Sequence, residues 1–224
     1  RNMYGSCNEF VLKKIQADKK ISYMHADFSL YGGDTKYNRS LLNKFDFVVN
    51  VTESCNAIMA TMMPELKDKL VVVNNPINYD SLSALSDTDT VTYDKNYFNI
   101  ITVARLSTEK GHFRVLNIIK KLTIKGYKIK WHIVGDGNCR EIIEDEIIRL
   151  ELKDFVVLYG NQKNPYRFFK NADLFLLPSF QESEGMVIKE AIYLRVPVLS
   201  TLTNSTKEVL PTEYGVICEN STDS

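Results

Sequence analysis

Glu182 and Glu190 stand in the stretch QESEGMVIKEA with seven residues between them. Glu182 lies in a polar loop, residues 179–184, that follows an apolar run, 173–177, stopped by Pro178. Glu190 lies in a helical pattern that opens at Gly185 and runs to about Leu194, ahead of a buried strand over 196–200. A strand feeding a loop and then a helix N-terminus is where α/β proteins hold anions. Backbone N–H groups near Gly185 and Met186 would be donors to phosphate oxygens. A carboxylate about one and a half turns into that helix can accept hydrogen bonds from two vicinal hydroxyls, such as a ribose diol, and Glu182 can reach a hydroxyl elsewhere on the same ligand. The competing reading is a solvated acidic loop beside a surface glutamate.

The cations that a phosphate would need come from VARLSTEKG, residues 103–111, again between a strand and a helix. Arg105 and Lys110 would both stand at the carboxyl end of that strand, and a guanidinium with an ammonium can neutralise a pyrophosphate. Two cations in a solvated loop are the alternative. Gly135-Asp136-Gly137 makes a tight turn at another strand end. It is not a dinucleotide fingerprint, because Arg140 stands where the third glycine is required. It is either a turn that lets a ligand approach the backbone at Gly135 or a bare strand–helix connection. His25 ends a strand near the start of the chain, with no nucleophile–base pair around it. His112 and His132 receive no role, and Trp131 reads as core.

The elements that must position these groups alternate strand and helix. Strands are expected over 21–25, 45–51, 70–73, 98–104, 129–134, 155–159, 173–177, 196–200 and 215–218. Helices are expected over 10–17, 37–44, 52–63, 113–124, 138–151, 164–170, 185–194 and 205–210, and a loop over 31–34. Such alternation argues for parallel sheets. Residues 77–96, rich in Ser, Thr and Asp, carry little core pattern and read as a linker. The expected division is 1–78, a linker over 79–96, and 97–224, with both ends of the chain cut inside domains.

Composition is that of an ordinary globular chain: 224 residues, 44% hydrophobic and 25% charged. Lys+Arg and Asp+Glu both number 28, which argues against a general nucleic-acid binder. No run approaches a transmembrane helix in length. Cys7, Cys55, Cys139 and Cys218 form no CxxC pair, which suggests buried thiols in a reducing, cytoplasmic setting and no zinc site.

Taken together, VARLSTEKG, HIVGDG, VVLYG, ADLFLLPS and ESEGMVIKEA followed by VPVLST occur in an order and spacing that resembles the retaining glycosyltransferases of the GT-B fold, most of all family 4, the glycosyl transferases group 1. The resemblance covers residues 97–218 closely. It extends more weakly back to Ile21, where YMHADF, DFVVNVTESC and VVVNNPIN are similar to the second half of the family's acceptor-side lobe. It implies an α/β protein with two Rossmann-like lobes and a deep cleft, the first lobe incomplete in this chain. Arg105 and Lys110 would bind the diphosphate of a UDP- or GDP-sugar, Glu190 the ribose, and Glu182 the sugar hydroxyls. Gly185 and Met186 would lend N–H groups, and His25 would face the transferred sugar from the other lobe.

The family implies no metal and no cofactor beyond the donor. The acceptor would be a glycan or lipid-linked glycan, reached at the inner face of a membrane by peripheral association. Three positions depart from the family pattern. Ser183 replaces a Gly and Glu184 an aromatic, which bear on sugar identity and place a charge beside the sugar. Arg195 replaces a Gly at the helix end. The rival readings are a nucleotide-binding scaffold or regulator without turnover, and a phosphorylase- or epimerase-like enzyme. The first is opposed by the intact Arg105, Lys110, Glu182 and Glu190; the second lacks a recognisable pyridoxal-phosphate lysine.

Overall fold

The computed structural model describes residues 5–31 and 35–221, so residues 32–34 of the expected loop lie outside the described residues. The chain forms two compact units. One comprises residues 1–76 with Glu182–Glu184, and the other Ile77–Gln181 with Gly185–Ser224.

In the first unit, α1 (Gly5–Lys14), β1 (Ile21–Met24), α2 (Lys36–Leu42), β2 (Phe47–Asn50), α3 (Glu53–Met62) and β3 (Leu70–Val72) follow in order. The strands pair in parallel as β1-β2-β3. Thr52 caps α3 by accepting from the Cys55 N–H at 3.2 Å, with Glu53 in the first turn, as its residue type predicts. Met24, Phe28, Leu42, Val48, Met59, Met63 and Leu66 make the core. Two of the four thiols expected to be buried, Cys7 and Cys218, are exposed, whereas Cys55 and Cys139 are buried.

The second unit opens with α4 (Tyr79–Asp87), inside the stretch expected to be a linker. The Asn78 side chain caps it by accepting from Ser81 at 2.9 Å, and Leu82 and Ser86 are buried. The Asn164 amide reaches the Leu85 carbonyl at 2.8 Å, Lys170 pairs with Asp87, and Tyr79 lies 4.6 Å from the Tyr193 ring. Leu82 and Leu85 are its only large aliphatic residues among Ser and Asp, and packing against the rest of the unit supplies what its composition lacks.

Then come β4 (Phe98–Val103), α5 (His112–Ile124), β5 (Ile129–Val134), α6 (Arg140–Arg149), β6 (Val156–Gly160), β7 (Leu174–Leu177), α7 (Met186–Tyr193), β8 (Val198–Thr201), α8 (Thr206–Val209) and β9 (Gly215–Cys218). The expected helix over 164–170 shrinks to a single 3-10 turn, Tyr166–Phe168. The parallel sheet has the order β6-β5-β4-β7-β8-β9. Successive side chains of a strand point to opposite faces, so neighbours feed separate cores. Ile100, Trp131 and Ile133 pack with Val115, Leu116, Ile119, Ile143 and Ile147 on one side. Ile101, Val134, Phe175 and Leu177 pack with Ile188 and Ala191 on the other. Helices covering both faces explain why β4 and β5 carry buried apolar side chains on both sides, Ile100 and Ile133 on one and Ile101 and Val134 on the other.

The strand order reverses between β4 and β7, whose carboxyl ends therefore flank the switch point where ligands of open α/β sheets sit. Arg195 takes φ 59°, a left-handed conformation that favours glycine. There Arg195 N–H donates to the Ile192 carbonyl at 2.9 Å and Val196 N–H to the Ala191 carbonyl at 3.0 Å, a Schellman closure of α7. The Arg-for-Gly departure thus leaves the helix end intact, at a conformational cost of about 1 kcal/mol.

Candidate active site

Arg105 and Lys110 lie on the loop between β4 and α5, at the switch point. The Arg105 side chain is 77% exposed and reaches Glu109 at 3.4 Å. Burial raises the Glu109 carboxyl, but the Ser107 hydroxyl at 2.7 Å, its own backbone N–H and the charges of Arg105 and Lys110 together leave it below the ordinary carboxylate value. An exposed pair of this kind contributes about 0–1 kcal/mol, so Glu109 does not commit the Arg105 guanidinium. Lys110 is half-buried.

Gly111 follows Lys110 with φ 69°, and a Cβ there would sit 2.0 Å from the Pro178 carbonyl oxygen. Only glycine lets the two loops of the switch point approach this closely. Phe180 N–H donates to the Glu109 carbonyl at 2.8 Å across the same contact. Arg114, in the first turn of α5, binds the Pro178 carbonyl through Nε at 3.0 Å and also through Nη2. It further reaches Asn220 at 2.8 Å and stacks 4.1 Å over the Phe180 ring.

Arg114 is not among the residues that motif and spacing single out. The available signal was a cation in the first turn of a helix, where the dipole disfavours it unless acceptors are close. Arg114→Ala is expected to destabilise the chain by about 2 kcal/mol, within the range for hydrogen bonds to a charged group. Urea denaturation measures it, and an unchanged midpoint would mean that the loop contact holds without the guanidinium.

Gly135 takes φ 139°, and a Cβ there would meet the Ala104 carbonyl oxygen at 2.0 Å. Its N–H donates to the Gly160 carbonyl at 2.9 Å. The glycine therefore serves backbone packing between the loops after β4 and β5. It also lines a cavity of about 400 Å³ at the carboxyl ends of β4, β5 and β6, together with Arg105, Asp136, Asn161, Gln162 and Pro165. Gln162 is held in place by its amide, which donates to the Tyr159 carbonyl at 2.8 Å.

On the β7 side of the switch point, Gly185 caps α7 at φ 66° with no side-chain cap, and Met186 is the first helical residue. Their backbone amides thus occupy an uncapped helix start. Glu190 is half-buried. Burial raises its carboxyl above the ordinary value, and a hydrogen bond from Tyr166 works in the opposite direction. The Tyr166 hydroxyl donates to Glu190 Oε1 at 3.2 Å.

His25 and Glu182 belong to the first unit. His25 follows β1, is exposed, and stacks on the Tyr23 ring at 4.6 Å. Glu182 is half-buried in the three-residue segment that joins this unit. Its neighbour Ser183 accepts from the Asp27 N–H at 3.1 Å through its hydroxyl, and its carbonyl accepts from the Thr52 hydroxyl at 3.2 Å. Glu184, expected to place a charge beside the sugar, is only 4% exposed. Its carboxylate accepts from the Asn75 N–H at 3.1 Å and from the Asn75 side-chain amide. The Asn75 donors occupy the charge, so Glu184 is a structural acid. Among the described residues no group of His, Cys, Asp and Glu could hold a metal ion.

The family model for glycosyl transferases group 1 matches residues 88–224. An uncharacterized glycosyltransferase of Methanocaldococcus jannaschii is 30% identical over 179 residues, 76% of this chain and 43% of that protein. The capsular polysaccharide biosynthesis glycosyltransferase CapM of Staphylococcus aureus is 26% identical over 181 residues, 77% of this chain and 48% of that protein. Among solved structures, Anabaena HepE in complex with UDP superposes with a TM-score of 0.75 at 18% identity, over 89% of this chain and 58% of that one. That likeness establishes the shared α/β architecture. The chain spans about half the length of the relatives that it matches.

Proposed function

This chain belongs to the glycosyl transferases group 1 family, and we propose that it moves a sugar from a UDP- or GDP-sugar to a glycan or lipid-linked glycan, with retention at the anomeric carbon. The observation that carries the proposal is the switch point of the second unit. There the loop bearing Arg105 and Lys110 faces the β7–α7 connection, which leads into an uncapped helix start and then Glu190. In this reading Arg105 and Lys110 take the diphosphate, and the amides of Gly185 and Met186 add dipoles to it. Gly135 lines the cavity beside Arg105, and Glu190 accepts from the ribose diol.

Negative charge develops on the leaving diphosphate as the glycosidic bond breaks. Fixed cations and dipoles aimed at that charge lower the barrier, here in place of a divalent ion. Glu182 would orient the sugar hydroxyls and His25 would face the transferred sugar; the gain from each is orientation. The complex of HepE with UDP supports a uridine donor, and the role carried in CapM's name, capsular polysaccharide biosynthesis, supports a glycan acceptor. Among the described residues no helix is long and apolar enough to cross a membrane. We place a lipid-linked acceptor at the cytoplasmic face of a membrane, met by peripheral association.

A melting screen with UDP, GDP, TDP and ADP tests the reading. A cognate nucleotide at about 100 times its dissociation constant adds about 2.7 kcal/mol, a rise of about 5–11 °C for a chain of this size. Glu190→Ala is expected to remove about 1.5–3 kcal/mol of nucleotide affinity. No shift with any of the four overturns the proposal, and an unaltered affinity in Glu190→Ala overturns the ribose assignment.

A further inference from the structure

We propose that Tyr166 is a positioning residue for Glu190: its phenol holds one carboxylate oxygen so that the other, Oε2, is presented to a vicinal diol. The inference rests on the nucleotide-sugar reading and deepens it at the ribose. Tyr166 opens the 3-10 turn Tyr166–Phe168, directly after Pro165, which lines the cavity shared with Arg105 and Gly135. The turn is rigid. Phe168 is fully buried, its carbonyl accepts from the buried Tyr93 hydroxyl at 2.7 Å, and the Tyr166 N–H donates to the Asn164 side chain at 3.2 Å. A tyrosine on an anchored turn thus addresses a glutamate on α7.

The bond selects one oxygen. Tyr166 reaches Oε1 at 3.2 Å, longer than a strong charge-assisted O–H···O⁻ bond, so it orients the carboxylate without neutralising it. A carboxylate has about four lone-pair sites, and one donor at Oε1 leaves Oε2 whole for two ribose hydroxyls. Half-burial raises the Glu190 carboxyl and the Tyr166 bond lowers it, so the phenol also favours the charged form that accepts from hydroxyls. The Tyr166 phenol is in turn raised by burial and by Glu190, and remains the donor at neutral pH. The core around Ile188 and Ala191 of α7 draws on β4, β7, β8, the Tyr166–Phe168 turn and α8; besides Tyr166 their titratable side chains are Arg167, Lys207 and Glu208, and α4 adds Tyr79 against Tyr193. Among these side chains the Tyr166 hydroxyl is the one that hydrogen-bonds Glu190.

The test compares wild type with Tyr166→Phe, which removes one oxygen and keeps the ring. Binding of UDP and GDP, and of their 2′,3′-dideoxy forms, is measured between pH 5 and 8 on the whole chain. In parallel, the Glu190 carboxyl is titrated by carbon NMR and assigned with Glu190→Gln. Tyr166→Phe is expected to weaken the cognate nucleotide about fivefold at pH 7 and the dideoxy form hardly at all. It also moves the acid limb of binding and the Glu190 titration to higher pH. In a Glu190→Ala background the same change has no further effect. A packing role alone would weaken both nucleotide forms equally and leave the titration in place, and that result overturns the inference while wild-type binding stands. If wild type binds neither UDP nor GDP, the nucleotide-sugar reading falls and takes this one with it.

Discussion

Lowering the pH from 7 to 5 is expected to cost the chain about 4 kcal/mol of folding stability, because two imidazoles are buried in the neutral form. Burial, followed by Lys110, brings His112 down to about 4; burial, followed by Lys130, brings His132 down to about 4. His132 lies 3.1 Å from the Tyr159 hydroxyl through Nδ1 and 3.1 Å from Asn99 Oδ1 through Nε2. The Asn99 amide nitrogen already donates to the Asp94 and Tyr97 carbonyls, so its oxygen must accept from Nε2–H and Nδ1 accepts from Tyr159. A proton on Nδ1 would break that arrangement. His112 is 1% exposed, stacks 6.1 Å from Trp131, and has no hydrogen-bond partner at either nitrogen among the described residues.

Both folded-state values lie below the unfolded value of about 6.5, so the unfolded chain binds more protons in this window. The stabilising contribution is complete above about pH 6.5 and is lost as pH falls toward about 4, at about 1.4 kcal/mol per unit for each histidine. Urea unfolding at pH 7 and pH 5 measures the loss. His112→Leu, which also removes two unpartnered nitrogens, should halve the dependence. A loss under about 1 kcal/mol would mean that both rings titrate as exposed imidazoles do.

Gly111→Ala is the second large effect, an expected loss of about 3–5 kcal/mol. The left-handed conformation costs an alanine about 1–2 kcal/mol, and the added Cβ would lie 2.0 Å from a backbone oxygen, which cannot swing aside as a flexible side chain can. Displacing the Pro178 carbonyl also breaks its bonds from Arg114, worth about 1.5–3 kcal/mol as hydrogen bonds to a charged group. The two loops then separate at the switch point, and the melting response to a nucleotide should vanish along with the stability. Gly126→Ala provides the control. Its φ is 84°, but nothing lies within 4 Å of the added Cβ, so it should lose only about 1–2 kcal/mol and keep its nucleotide response. Equal losses at the two positions would place the whole effect in backbone conformation and none in the loop contact.

Much of the architecture was legible because it depends on short-range pattern. β5 and β9 begin and end at their expected bounds, and α5, α7 and the Thr52 cap of α3 follow from period and residue type. The placement of Arg105 and Lys110 at a strand's carboxyl end also follows from order along the chain. Where packing decides, the pattern is silent. Residues 79–87 are capped and held by Asn78, Asn164 and Lys170, although their Ser- and Asp-rich composition reads as a linker. Residues 164–170 keep only one turn because Tyr93 and Asn164 bind its backbone.

Within the candidate site, sequence alone determined which acids and cations flank the two helix starts, and the family they belong to. The tertiary structure decided what each of them touches. Glu184 is occupied by Asn75, Arg114 ties the two loops together, and Tyr166 addresses Glu190 across 24 residues of chain. A side chain's type and spacing set the chemistry that it can perform. Its hydrogen-bond partners come from residues distant in sequence, and only the folded backbone brings them within 3 Å or so of one another.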